Sequence, residues 1–119
     1  MSSRPEELRD RTKAFALRVI RLFRSLPYQT DTQVLGKQLL RCGTSVAANY
    51  RAACRARSKA EFIARIAIVA EEADESVLWL ELLVESGIIE SEMTVSLLGE
   101  AKELAAILTA SRQTAKRSA

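Results

Sequence analysis

The chain has 119 residues, 48% of them hydrophobic and 28% charged, with a formal net charge of +3 and no histidine. This is one domain's worth of sequence with an ordinary apolar-to-charged balance, which excludes an intrinsically disordered chain. No apolar run approaches the roughly 18 residues that a bilayer-spanning helix needs, and the polar start "MSSRPEELRDRTK" is not a secretory signal. Aromatics are only 5%, and Gly and Pro together number six. Ala and unbranched side chains lose little entropy in a helix, so the composition predicts an all-α protein. Two cysteines without a signal point to a reducing, cytoplasmic setting and against a disulfide.

The spacing predicts four helices, roughly over residues 4–26, 31–56, 59–86 and 92–112, in a single domain spanning 1–119. The first has Pro5 in its opening turn beside Glu6 and Glu7, where a missing N–H and negative charge both suit the helix start. Its apolar positions are Leu8, Phe15, Val19, Leu22, Phe23 and Leu26, and Pro27 ends it. Thr30 or Asp31 is positioned to cap the second helix, whose inner face is Leu35, Leu39, Cys42, Val46, Tyr50 and Ala53. Small residues dominate this helix from Gly43 to Ala56, so a neighbouring helix can come close. An interior glycine costs about 1 kcal/mol relative to Ala, and close packing at Gly43 must offset that.

"SKAE" opens the third helix as a capping box, Ser58 with Glu61. Phe62, Ile66, Val69, Ala73, Val77, Leu80 and Val84 form its main stripe, and Gly87 occupies the position of a left-handed C-terminal glycine. Ser91 is the expected start of the fourth helix, with Met93, Leu97, Ala101, Leu104 and Leu108 facing inward. Residues 113–119 read as a frayed basic tail. Short loops between long helices make antiparallel neighbours, so the expected fold is an up-down-up-down antiparallel four-helix bundle.

Several chemistries are set aside by the same residues. "GTSVA" comes close to a nucleophile elbow, but it lies within a helical period and the chain has no histidine to act as base. Cys42 and Cys54 stand twelve residues apart on one helix, about 18 Å, too far to bridge or share a metal. The acids Glu71, Glu72, Asp74 and Glu75 lack the histidines of a di-iron bundle and read as a solvated acidic face. The expectation is therefore no enzyme, no catalytic residue, no cofactor and no metal.

Charge is unevenly spread. Residues 1–57 hold 12 Lys and Arg against 4 Asp and Glu, a net +8, whereas residues 58–119 are net −5. This asymmetry predicts either a polyanionic partner for the first half or association of one half with the other. Lys37, Arg41, Arg51 and Arg55 share one side of the second helix, Arg57 extends it, and Arg18, Arg21 and Arg24 add charge on the first. Guanidinium forks fit phosphates, so these residues are candidates for binding RNA or DNA. Few aromatics accompany them, which favours recognition of backbone and shape over sequence.

The run from Gly43 to Ile89 closely resembles the four-helix bundle family that includes the 23S rRNA intervening-sequence proteins. The elements that carry the likeness are "GTS" and "ANYRAA" on helix two, "SKAEF" at the turn, and "EADES" with "WLELL" on helix three. The accessory protein of diversity-generating retroelements is similar in fold. The resemblance implies a homopentameric ring of antiparallel bundles, no catalytic residues, and a ribonucleoprotein or reverse transcriptase as a partner. Ile63, Ala67, Leu78 and Leu82 lie outside the main stripe of helix three, and Trp79 faces yet another side. These five residues are the expected oligomer interface. Two functions stand side by side at this stage. One is a homo-oligomeric bundle that binds nucleic acid through basic helix faces. The other is a protein scaffold in which basic and acidic helices pair between protomers.

Overall fold

The computed structural model describes residues 4–118. Four helices are present: α1 (Pro5–Ser25), α2 (Thr30–Cys54), α3 (Lys59–Glu85) and α4 (Val95–Arg117). They lie along the long axis of a body measuring 46 × 24 × 20 Å. Consecutive helices are antiparallel neighbours, and α1 meets α4 over a shorter seam that closes the bundle. Among the described residues there is no strand.

The core follows the apolar spacing. Phe15 and Val19 of α1, Leu39 and Val46 of α2, Ile66, Val69, Leu80 and Leu83 of α3, and Leu104 and Leu108 of α4 are at most 1% exposed. Polar groups caught among them are satisfied locally. The Thr12 hydroxyl donates to the Leu8 carbonyl at 2.8 Å, and the Ser76 hydroxyl donates to that of Glu72 at 2.9 Å.

Helices α1 and α2 approach most closely where α2 carries glycine. A Cβ on Gly43 would lie 2.9 to 3.1 Å from three atoms of Val19. One on Gly36 would come within 2.8 Å of Leu26 Cδ1 and 3.0 Å of Phe23 Cδ1. The two glycines are seven residues apart and so share one face, which sets the register of the α1–α2 hairpin. The close neighbour expected at Gly43 is therefore α1.

Helix ends agree with the sequence in two places and differ in three. Ser58 Oγ accepts the Glu61 N–H at 3.0 Å, as a capping box requires. Glu61 reaches back one residue further than expected, to the Arg57 N–H at 3.1 Å. Gly87 has φ of +83°, the left-handed conformation that a side chain would strain. At the start of α2, however, the cap position is Gln29, and no side chain caps it. Asp31 instead accepts the neighbouring Thr32 N–H at 2.8 Å. Ser91 begins only a short 3-10 turn, Ser91–Met93, so Met93 is 69% exposed and the inner face of α4 begins at Leu97. Finally, α4 continues to Arg117 rather than fraying near residue 112. Ala115 is buried there, Lys59 Nζ donates to Ser118 Oγ at 2.9 Å, and Lys116 and Arg117 suit the negative helix end.

Candidate nucleic-acid interface

The basic residues singled out from the sequence do not form one surface. Lys37 lies at the α1–α2 loop end, in a shallow depression shared with Tyr28, Gln33 and Val34. Arg18 and Arg21 are on the opposite side, beside Leu22, Met93 and Leu97. There Arg18 Nη2 donates to Ser96 Oγ at 2.9 Å. Arg57 stands exposed past the end of α2.

Arg41 is engaged within its own chain. Its Nη1 lies 3.2 Å from Glu72 Oε2 and its Nη2 lies 3.3 Å from Glu75 Oε1, both on α3. The Cys42 thiol completes this cluster, 3.2 Å from Arg41 Nη2. The ligand atoms of Cys42, Glu72 and Glu75 lie within 4.8 Å of one another, a spacing that could hold a cation. The Arg41 guanidinium already provides positive charge against these three groups. Burial pushes the Cys42 thiol up to about 11, and the two carboxylates add to the rise while Arg41 opposes it. The thiol is accordingly neutral near pH 7.

Arg51 and Arg55 have a different setting. They line an open groove of about 510 Å³ between α1 and α2, and two cations absent from the sequence-based set, Arg9 and Lys13, line it with them. Thr44, Ala47, Ala48 and Ala52 make its floor with short side chains. No carboxylate lines it, and among the described residues none of the four cations forms an ion pair. The register that sets Val19 against Gly43 also carries Arg9 to a level between Arg51 and Arg55, and Lys13 to about half a turn from Arg51. On each helix the two cations are four residues apart, about 6 Å along the axis. Arg9 and Lys13 were legible only as an i, i+4 pair; their place beside Arg51 and Arg55 follows from antiparallel pairing of α1 with α2.

The remaining cation of α1 with a clear partner is Arg11. Its Nε and Nη2 donate to the two oxygens of Glu100 at 3.1 and 2.8 Å, and Nη2 also lies 3.0 Å from Glu103 Oε1. This fork clips α1 to α4.

The expected interface residues divide. Leu78 and Leu82 are exposed, at 46% and 37%, and Ile68 joins them at 43%. All three lie on the side of α3 opposite Ile66, Ala73 and Leu80. Ile63 and Ala67 are half-buried. Trp79 is half-buried too and packs against the core, with its indole N–H buried and unpartnered. No helix among the described residues is long and apolar enough to cross a membrane.

The fold and this surface define an all-α four-helix bundle with unpaired cations concentrated between its first two helices. The family model of the 23S rRNA-intervening sequence protein matches residues 6–110, and the chain belongs to that family. A crystal structure from Bacteroides thetaiotaomicron, of a protein of unknown function from the S23 ribosomal protein family, is similar at 34% identity and a TM-score of 0.84. The match covers 92% of this chain and 97% of that one. No curated protein matches the chain.

Proposed function

We propose that this protein is a non-enzymatic, self-associating helical bundle that binds nucleic acid, alone or within a ribonucleoprotein, through the basic faces of α1 and α2. The observation that carries the reading is the groove with Arg9, Lys13, Arg51 and Arg55 on its walls and no acid among them. Four exposed cations without an ion pair, set over small side chains, make a local positive potential that favours a polyanion. The family's name links its members to intervening sequences of 23S rRNA, which supports RNA as the partner. Self-association is supported by the outer row of Ile68, Leu78 and Leu82, apolar surface that the bundle core leaves uncovered. In the form the family resemblance implies, that row would lie between protomers of a pentameric ring.

Changing Arg9, Lys13, Arg51 and Arg55 together to Glu tests the reading. The oligomer should survive, and affinity for a single-stranded RNA should fall at least about a hundredfold. Wild-type affinity should itself fall about ten- to fiftyfold between about 50 and 200 mM salt, the expectation for three or four phosphate contacts. The scaffold reading draws on the Arg41–Glu72–Glu75 cluster, which shows that α2 and α3 can pair by charge. It predicts instead that the quadruple variant falls into monomers and that the wild type has no salt-sensitive nucleic-acid binding. Light scattering that finds a stable 13.2 kDa monomer at micromolar concentration would contradict self-association under either reading.

A further inference from the structure

A second cavity, of about 390 Å³, adjoins the basic groove at the end of the bundle where α1 begins and α2 ends. Leu8, Ala53 and Phe62 give it apolar walls, and Tyr50, Cys54 and Ser111 bring polar atoms to it. Its volume is at the lower end of what small-molecule sites offer, and a few polar groups on apolar walls are what such sites present. Arg9 lines both the cavity and the groove. The two spaces lie on neighbouring faces of α2: Arg51, Ala52 and Arg55 line the groove, while Tyr50, Ala53 and Cys54 line the cavity.

We propose that this cavity receives a nucleobase from a single strand whose phosphates lie in the adjoining basic groove, a proposal that rests on the nucleic-acid reading above. A strand lying in the groove would carry its phosphates along one face of α2 and could turn a base across Arg9, which lines both spaces, into the cavity on the neighbouring face. Phosphates meet Arg9, Arg51 and Arg55, and a base one step away meets the cavity. Tyr50 is only 4% exposed and its hydroxyl is engaged with Cys54, so Phe62, which is half-buried, supplies the ring surface, and the half-buried Cys54 and Ser111 offer polar atoms. Bases in a duplex are stacked and paired and cannot enter, whereas an unpaired base can turn out of the strand at small cost. The aromatic contact that the basic stripe lacks in sequence is thus supplied by Phe62 of α3.

The test compares a fluorescent single strand of about twelve nucleotides with an abasic strand of equal length and charge, by anisotropy at low salt. The wild type should bind the base-bearing strand at least about fivefold more tightly, the lower bound of one base–aromatic contact. Ala56→Phe, which adds a ring to the cavity from a half-buried position past the end of α2, should remove that difference and leave abasic affinity unchanged. Phe62→Leu should reduce it by loss of the ring. Equal wild-type affinity for the two strands overturns the proposal and leaves phosphate binding standing. A base preference that persists in both variants overturns the placement. If neither strand binds, the nucleic-acid reading fails together with the proposal.

Discussion

Two stretches of the same basic stripe on α2 meet opposite surroundings. Arg41, in the middle of the helix, faces α3, and there Glu72 and Glu75 neutralise it. Arg51 and Arg55, ten and fourteen residues further on, border α1, and there Arg9 and Lys13 double the positive charge. The residue types are the same; the neighbouring helix decides whether an arginine is clamped by carboxylates or stands unpaired beside further cations. Charge read along one helix therefore measures potential only until the partner helix is known.

The largest effect that bears on this contrast is structural. Gly43→Leu should drive α1 away from α2, because even a Cβ would sit 2.9 Å from the Val19 side chain, which is stiff and fully buried. A loss of about 3 kcal/mol is expected in chemical denaturation. Gly36→Ala should cost less, since the nearest atom there is the flexible end of Leu26. Unchanged stability in Gly43→Leu would mean that the hairpin register, and with it the meeting of Arg9 with Arg51 and Arg55, is wrong.

A smaller effect probes the other end of the contrast. The Cys42 thiol is raised from an ordinary value near 9 to about 11, chiefly by burial. Its folded pKa exceeds its unfolded one, so the stabilisation is complete below about pH 9 and is lost as pH rises towards 11. Up to about 2 kcal/mol should disappear across that window. Tyr50 is also raised, first by burial and then by Cys54, and adds a further loss above its ordinary value near 10. Denaturant midpoints measured against pH should lose the first part of this fall in Cys42→Ala and keep the second. A full fall in Cys42→Ala would contradict the buried thiol.

How much was legible beforehand follows from the range of each interaction. The Ser58 cap, the turn at Gly87 and most of the α3 stripe depend on residues within a few positions of each other and could be read directly, although Ser76 and Leu83 are buried where Val77 and Val84 were expected. The inner face of α2 was legible for the same reason. The length of α4 was not, because Ala115 is held by tertiary packing at the far end of a basic segment that looks like a tail. Met93 matched the helical spacing but lies in a 3-10 turn, where that spacing does not apply. The Arg41 cluster joins residues 31 and 34 positions apart, and the groove joins α1 to α2. Neither could be located without the helix register. Ile68, on the same outer row as Leu78 and Leu82, was within reach of the spacing on α3.

The central claim is that the unpaired cations of the groove, and not Arg41, carry nucleic-acid binding. The most direct test is the salt dependence of affinity for one single-stranded RNA, measured for the wild type, Arg51→Ala/Arg55→Ala and Arg41→Ala. Each phosphate contact contributes about 0.7 to the log–log slope on a single strand. The double variant should therefore flatten the slope by about 1.4, and Arg41→Ala should leave it unchanged. A slope that Arg41→Ala flattens as much as the double variant, or a wild type with no slope at all, would contradict the account.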